Sequence, residues 1–363
     1  MRVLFDGSAF FRHRRSGIGR YFSELVGAYA GDPGLGVTPV LPYRYITNAQ
    51  AGRLKGVHSL PLPRRFRDPV LGRLNAAPAR AAQRAGHDVV HYPLYDEAFL
   101  DAAREQRSAT TVYDFTFELM PELFGDQSRE LALKKEFLAA CDVLFCISEA
   151  TARDLKQVHP HLDQPVVTTP LAVGEEFRGQ HHRPRSLPER YLLHVGNRVE
   201  HKNVDLIFRS FADLVKTDPT LHLVLSGQGM ADEAERLESF GIADRTRVVR
   251  LSDRDLPGAY QHAQAFVFPS RYEGFGLPLV EAMAAGTPCV ISDAPALLEV
   301  AGEAADVVDP DDAAALTATL ERLLGDDAFA TRRRSEGRAR AAEFTWRRTA
   351  ELTVDGYRAA LQA

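Results

Sequence analysis

The 363-residue sequence predicts an α/β protein of two domains, each built on a doubly wound parallel sheet. Three observations carry that expectation. Short apolar runs recur between stretches of helical character. The two halves open alike, each with a strand, a glycine-containing basic turn and an amphipathic helix. Between them, residues 174–190 are polar, rich in glycine and proline, and lack either periodicity, as a linker does.

In the first half the apolar runs fall at residues 3–5, 88–91, 110–113 and 143–147. The first of them leads through Ser16-Gly17-Ile18-Gly19-Arg20-Tyr21 into a helix expected over 22–30. In the second half the runs fall at 192–195, 223–225, 248–249, 266–268 and 290–291. The first leads through the turn 196–203, with Gly196, Asn197, Arg198 and Lys202, into a helix over 204–215.

The most informative stretch runs from Pro269 to Pro288. Pro278 suits a first helical turn, where its missing N–H costs little, and Gly286 with Pro288 closes the segment, so a helix is expected over about 277–285. Glu273 then lies in the preceding loop. Glu281, one turn in, leans back over Gly274-Phe275-Gly276, because helical side chains tilt toward the N-terminus. Both carboxylates are then placed to reach one ligand. The N–H groups and positive dipole end of the helix favour a phosphate, and the carboxylates suit hydroxyls, as in a sugar nucleotide. The plainer alternative is that Glu273 caps the helix and Glu281 is a solvated charge.

Hydrophobic content of 45% and charged content of 26% are those of a soluble globular protein large enough for two cores. No run of 18 apolar residues occurs, and the N-terminus turns acidic at Asp6, too early for a secretory signal, so a cytoplasmic location is expected. Cys141, Cys146 and Cys289 sit in apolar surroundings without metal-ligand spacing and are expected as buried thiols. Residues 1–90 hold 14 Lys and Arg against 5 Asp and Glu, a net charge of +9, and the remainder sums to −14. The clusters Arg12, Arg14, Arg15 and Arg64, Arg65, Phe66, Arg67 would attract an anionic acceptor or the inner face of an anionic membrane, or are simply a solvated arginine-rich surface. No nucleic-acid partner is expected.

Glu273, seven residues and Glu281, embedded in Glu-Gly-Phe-Gly-Leu-Pro and Glu-Ala-Met-Ala-Ala-Gly-Thr-Pro, resemble the signature of retaining glycosyltransferases of family 4, the mannosyltransferase-like group 1 enzymes. The resemblance extends over residues 16–21, 111–122, 147–155, 170–177, 192–203 and 259–310. It implies the GT-B fold: a Rossmann-like acceptor domain at 1–173 and a nucleotide-sugar domain at 191–343 facing across a cleft. Residues 174–190 would link them, and a helix at 344–363 would return to the first domain.

The same resemblance assigns Glu281 to the ribose hydroxyls and Glu273 to the transferred sugar, with Gly274, Phe275, Gly276 and Leu277 near sugar and phosphate. Arg198 and Lys202, beside Gly196 and Asn197, would bind the diphosphate and stabilise it as it leaves, replacing a metal. Many relatives carry a basic residue directly after the glycine, where this chain has Asn197. Gly17 and Gly19 would offer N–H groups to the diphosphate or acceptor, or form a plain turn. Many relatives also carry a His-Asp pair where this chain has Tyr113-Asp114. Asp114, at a strand's C-terminal end, would contact donor sugar or acceptor hydroxyl, or act as a cap.

The implied activity is hexosyl transfer with retention, mannose from GDP-mannose being the leading guess, to a hydroxyl of a glycan, lipid-linked or small-molecule acceptor. No cofactor or metal is expected, and Asp253-Arg254-Asp255 and Asp309-Pro310-Asp311 read as turns or helix starts. The alternatives are a sucrose-synthase-like or phosphorylase-like enzyme on the same fold, and a non-catalytic sugar-nucleotide-binding scaffold.

Overall fold

The computed structural model describes residues 1–12, 17–47, 54–60, 62 and 64–362. The chain divides into two units, Met1–Leu171 with Trp346–Ala363, and Ala172–Thr345.

Among the described residues the first unit holds β1 (Arg2–Phe5), β2 (Thr38–Val40), β3 (Tyr45–Ile46), β4 (His58–Ser59), β5 (Val89–Tyr92), β6 (Ser108–Val112), β7 (Val143–Cys146) and β8 (Val166–Thr168). Six of them form one all-parallel sheet in the order β2-β1-β5-β6-β7-β8, while β3 and β4 pair separately. Every residue of β5, β6 and β7 is buried, as expected of central parallel strands covered on both faces. The polar residues of β6 are tolerated there because each is bonded: Ser108 donates to Ala103 O at 2.7 Å, Thr110 to Tyr92 O at 3.1 Å, and Thr111 meets His91 Nε2 at 2.9 Å.

The helix expected over 22–30 runs from Gly17 to Gly31, because Tyr21, Phe22, Leu25, Val26 and Tyr29 share one buried face. The last helix, Trp346–Gln362, packs on that helix and on β7. Tyr357 stands edge-on to Phe145, with ring centres 5.4 Å apart, and its hydroxyl meets His91 Nδ1 at 2.6 Å. Tyr29 donates its hydroxyl to Ala350 O at 3.0 Å.

The second unit holds β9 (Tyr191–Val195), β10 (His222–Ser226), β11 (Thr246–Val249), β12 (Ala265–Phe268), β13 (Cys289–Ser292) and β14 (Asp306–Val308), all parallel, in the order β11-β10-β9-β12-β13-β14. Helix Val204–Thr217 covers the sheet through Val204, Ile207, Phe208, Phe211 and Leu214, an amphipathic stripe of helical period. Residues 174–190 belong with this unit. Phe177 and Leu187 are buried, and Arg178 donates to Ala341 O at 3.2 Å, so the segment is folded against the second domain over its length.

Candidate functional site

In the second sheet the strand order reverses between β9 and β12, and open α/β sheets bind ligands beyond the C-terminal ends of the strands at such a point. Both loops carry the residues singled out in the sequence. The β9 loop passes through Gly196, Asn197 and Arg198 to a 3-10 turn, Glu200–Lys202. Asn203 follows in the left-handed conformation, φ 55°, which asparagine tolerates better than most residues, and starts the helix Val204–Thr217. The β12 loop passes through Arg271 and Glu273 to the helix Leu277–Ala285, whose observed bounds coincide with those expected.

Side-chain and backbone contacts join the two loops. Arg271 N donates to His201 O at 2.8 Å, the Asn203 side chain donates to Pro269 O at 3.2 Å, and Lys202 Nζ meets Glu273 Oε1 at 2.6 Å. The Lys202 and Glu273 side chains are only 17% and 10% exposed, so the charge pair is partly dehydrated and its electrostatic interaction is stronger than on an open surface. Asn203 also donates to Pro310 O at 2.7 Å, fixing the start of its helix against the segment beyond β14.

Gly276 caps the helix with φ 99°, and a Cβ there would come within 2.6 Å of Leu297 Cδ2. Only glycine fits. Phe275 is buried edge-on to Phe344, 5.7 Å between centres, so this turn can offer a ligand its backbone while the Phe275 ring belongs to the core. Leu277 opens the helix half-buried, and Gly274 is buried in the turn. Glu281, 4% exposed, accepts the Tyr260 hydroxyl at 3.1 Å, which replaces the solvated-charge alternative with a buried, oriented carboxylate. Tyr260 had no sequence signal beyond its apolar surroundings.

Arg198 requires a correction. It is not a second cation beside Lys202: its side chain is fully buried and forms a two-pronged pair with Glu233, Nε to Oε1 and Nη2 to Oε2 at 3.2 Å. It also donates to Gly227 O at 3.3 Å and Gly196 O at 3.4 Å. The β9 and β10 loops are pressed together here, since a Cβ on Gly227 would lie 2.1 Å from Gly196 O, and Arg198 N donates to Gln228 O at 2.8 Å. Arg198 is thus turned under the glycine turn as its anchor. Asn197 is exposed above it and accepts Gln228 N–H at 3.2 Å. Glu233, 35 residues away, could not have been paired with Arg198 from sequence.

His194, on β9, is wholly buried, with Nδ1 donating to Val267 O at 3.0 Å. Burial, aided by the charges of Arg198 and Lys202 and opposed by the Val267 bond, pushes it down to about 4. A neutral imidazole at this position adds no cation to compete with Lys202.

In the first unit Asp114 lies just beyond β6, its Oδ1 accepting Thr116 N–H at 3.0 Å and its carbonyl accepting Lys134 Nζ at 2.7 Å. The bond to Thr116 is a local i, i+2 turn just before the short helix Thr116–Leu119, whose N-cap residue is Phe115 and has no side-chain cap. Gly17 and Gly19 stand in the first turn of a helix and not in an open turn, while Ser16, Arg14 and Arg15 lie outside the described residues, as do the side chains of Arg12, Arg64, Arg65, Phe66 and Arg67. Asp255 accepts the Ser252 hydroxyl at 2.6 Å, and Asp311 pairs with Arg271. Among the described residues no group of three or more His, Cys, Asp or Glu could hold a metal, and no helix is long and apolar enough to cross a membrane. Cys141, Cys146 and Cys289 are buried free thiols, burial pushing the first two up to about 12.

The family described as "Glycosyl transferases group 1" matches residues 178–341. The chain is 28% identical over 292 residues to O-antigen chain mannosyltransferase B of Escherichia coli, covering 75% of each. It is 30% identical over 258 residues to the serotype-specific mannosyltransferase WbdA of Escherichia coli, 66% of this chain, and spans about a third (32%) of that relative's length. Among solved structures it resembles sucrose-phosphate synthase from Thermosynechococcus elongatus with a TM-score of 0.70 at 22% identity, covering 98% of both chains, a likeness that shows the GT-B fold.

Proposed function

We propose that the chain is a group 1 glycosyltransferase, as the match over residues 178–341 and the mannosyltransferase relatives support, and that it transfers a hexose from a nucleoside-diphosphate sugar to an acceptor hydroxyl with retention of anomeric configuration and without a metal. The observation that carries the reading is the Lys202–Glu273 pair at the strand-order reversal, beside the N-terminus of the helix that presents Glu281. The helix N-terminus and Lys202 suit a diphosphate, and Glu281, held by Tyr260, suits the ribose hydroxyls.

As the glycosidic bond breaks, the leaving diphosphate gains negative charge, and a fixed ammonium stabilises it most when that charge is greatest. Glu273, the partner of Lys202, would accept from a sugar hydroxyl next to the breaking bond. The acceptor hydroxyl would approach from the leaving-group side and give its proton to the departing phosphate oxygen, so no protein nucleophile is needed. The names of the two Escherichia coli relatives support mannose as the sugar, and GDP-mannose is the donor we infer; a glycan or lipid-linked glycan suits the acceptor.

The test is a thermal-shift screen against GDP-, UDP-, ADP- and dTDP-sugars, followed by NMR of the first product formed. Stabilisation by GDP-mannose and an α-linked product from the α-linked donor are expected. An inverted product would overturn the mechanism, and stabilisation by another nucleotide sugar alone would overturn the donor.

A further inference from the structure

One face of β12 starts an aromatic row whose two ends meet charged groups of the site. The strand ends in Phe268, 1% exposed, and alternation along the strand puts Phe266 on the same face. The two rings stack with centres 5.4 Å apart and planes 29° from parallel, and Phe266 stands edge-on to Tyr260, also at 5.4 Å. At one end of the row Tyr260 donates its hydroxyl to Glu281. At the other, Lys202 Nζ lies over the Phe268 ring, 5.6 Å from its centre.

Phe268 also stands between the two glycine turns. A Cβ on Gly196 would lie 3.9 Å from Phe268 Cε2, and one on Gly276 would lie 4.0 Å from Phe268 Cε1, so the turns flank opposite edges of one ring. The ring of His194, tied to Val267 O, lies 5.9 Å away at 37°. Phe266, His194 and the two turns thus fix the ring that Lys202 meets. Lys202 is 17% exposed and pairs with Glu273. A carboxylate that also accepts from a sugar hydroxyl is shared, and the negative face of an aromatic ring is then a second attraction on the ammonium. An aliphatic side chain at 268 would fill the core without supplying it.

We propose that Phe268 is a positioning residue for Lys202: its ring holds the ammonium by cation–π attraction, so that the charge is in place before the leaving diphosphate gains its own. That this charge serves a diphosphate rests on the transferase reading; that Phe268 holds Lys202 does not.

The experiment places phenylalanine, 4-fluoro-, 3,5-difluoro- and 3,4,5-trifluorophenylalanine at position 268 alone, which drains the negative face of the ring stepwise at nearly constant shape. With GDP-mannose as donor, kcat for release of GDP should fall stepwise, by about threefold to tenfold over the series, with KM and melting temperature unchanged. In a Lys202→Met background the series should be flat, because the coupled partner is gone. A flat series with Lys202 present, or an equal fall with Lys202→Met, would overturn the proposal. A second measurement needs no turnover. The ε-methylene signal of Lys202 in protein labelled with ¹³C-lysine, assigned by its loss in Lys202→Arg, should be shifted upfield by the ring and should lose that shift in Phe268→Leu. Absence of the shift would overturn the proposal. A protein that shows the shift, yet neither binds nor cleaves any of the four nucleotide sugars, would support the role of Phe268 and overturn the transferase reading instead.

Discussion

At the scale of single residues, the two basic side chains of the β9 loop are held differently. Lys202 pairs with Glu273 of the β12 loop, whereas Arg198 is consumed by Glu233 and two carbonyls. Lys202→Ala is expected to lower turnover roughly 10²- to 10³-fold, as removal of one preorganised charge-stabilising donor does elsewhere. Glu273→Ala should chiefly lower kcat, because sugar contacts tighten as the bond breaks, while Glu281→Ala should chiefly weaken nucleotide binding, because ribose contacts are alike in ground and transition states. Steady-state kinetics with calorimetry of nucleotide binding separate the two. Matching losses in both quantities for both variants would contradict the assigned roles. Arg198→Ala should act differently, lowering the melting temperature as well as activity, since it leaves Glu233 buried without its partner.

At the scale of elements, two glycines let helices seat where the site needs them. Gly276→Ala forces a side chain into φ 99° and against Leu297, and should cost about 1–3 kcal/mol in urea unfolding with a parallel loss of activity. Gly356 lies in the last helix, where a Cβ would come within 2.2 Å of Phe145 Cε1. Gly356→Ala should therefore cost about 1–3 kcal/mol by overpacking, even though alanine is the better helix former. Stability equal to or above the parent in that variant would show that the helix shifts freely on β7.

At the scale of the molecule, the second unit is one continuous segment and holds Lys202, Glu273 and Glu281, whereas the first is completed only by the last helix. A fragment of residues 172–345 is expected to fold and bind a nucleoside diphosphate. Residues 1–171 alone should stay partly unfolded, because Tyr357, Val354 and Ala350 fill the core over β7. Circular dichroism and calorimetry on the two fragments check this, and an unfolded 172–345 would refute it. Each unit also buries a neutral histidine: His91, pushed down to about 3 by burial, and His194, down to about 4. Below pH 6.5 the unfolded chain binds protons that the folded chain refuses, so stability should fall as pH drops from about 6.5 toward 4, on the order of 3 kcal/mol per histidine. Asp6, raised by burial, acts in the opposite sense. Urea unfolding across that range should show the loss, and His194→Gln should reduce it; a flat profile would mean that both rings protonate in place.

The alternating apolar runs sufficed to predict two parallel sheets, because central strands buried on both faces must be apolar in succession, as at 143–147 and 266–268. Local chemistry likewise defined the helix Leu277–Ala285, with proline at its start and glycine at its end, and singled out Glu273 and Glu281 as candidate ligand groups. Edge strands β2, β8 and β14 left no such mark, being three residues long and partly exposed, and helix Arg64–Ala85 has too little apolar periodicity to announce itself. What only the tertiary structure decided is where each charge points. Arg198 and Lys202 are four residues apart in one loop, yet the close approach of Gly227 turns the first inward to Glu233, while the β12 loop brings Glu273 to the second. Such pairings depend on residues 35 and 71 positions away, and the free energy of burying a charge is set by that distant partner, which no local pattern encodes.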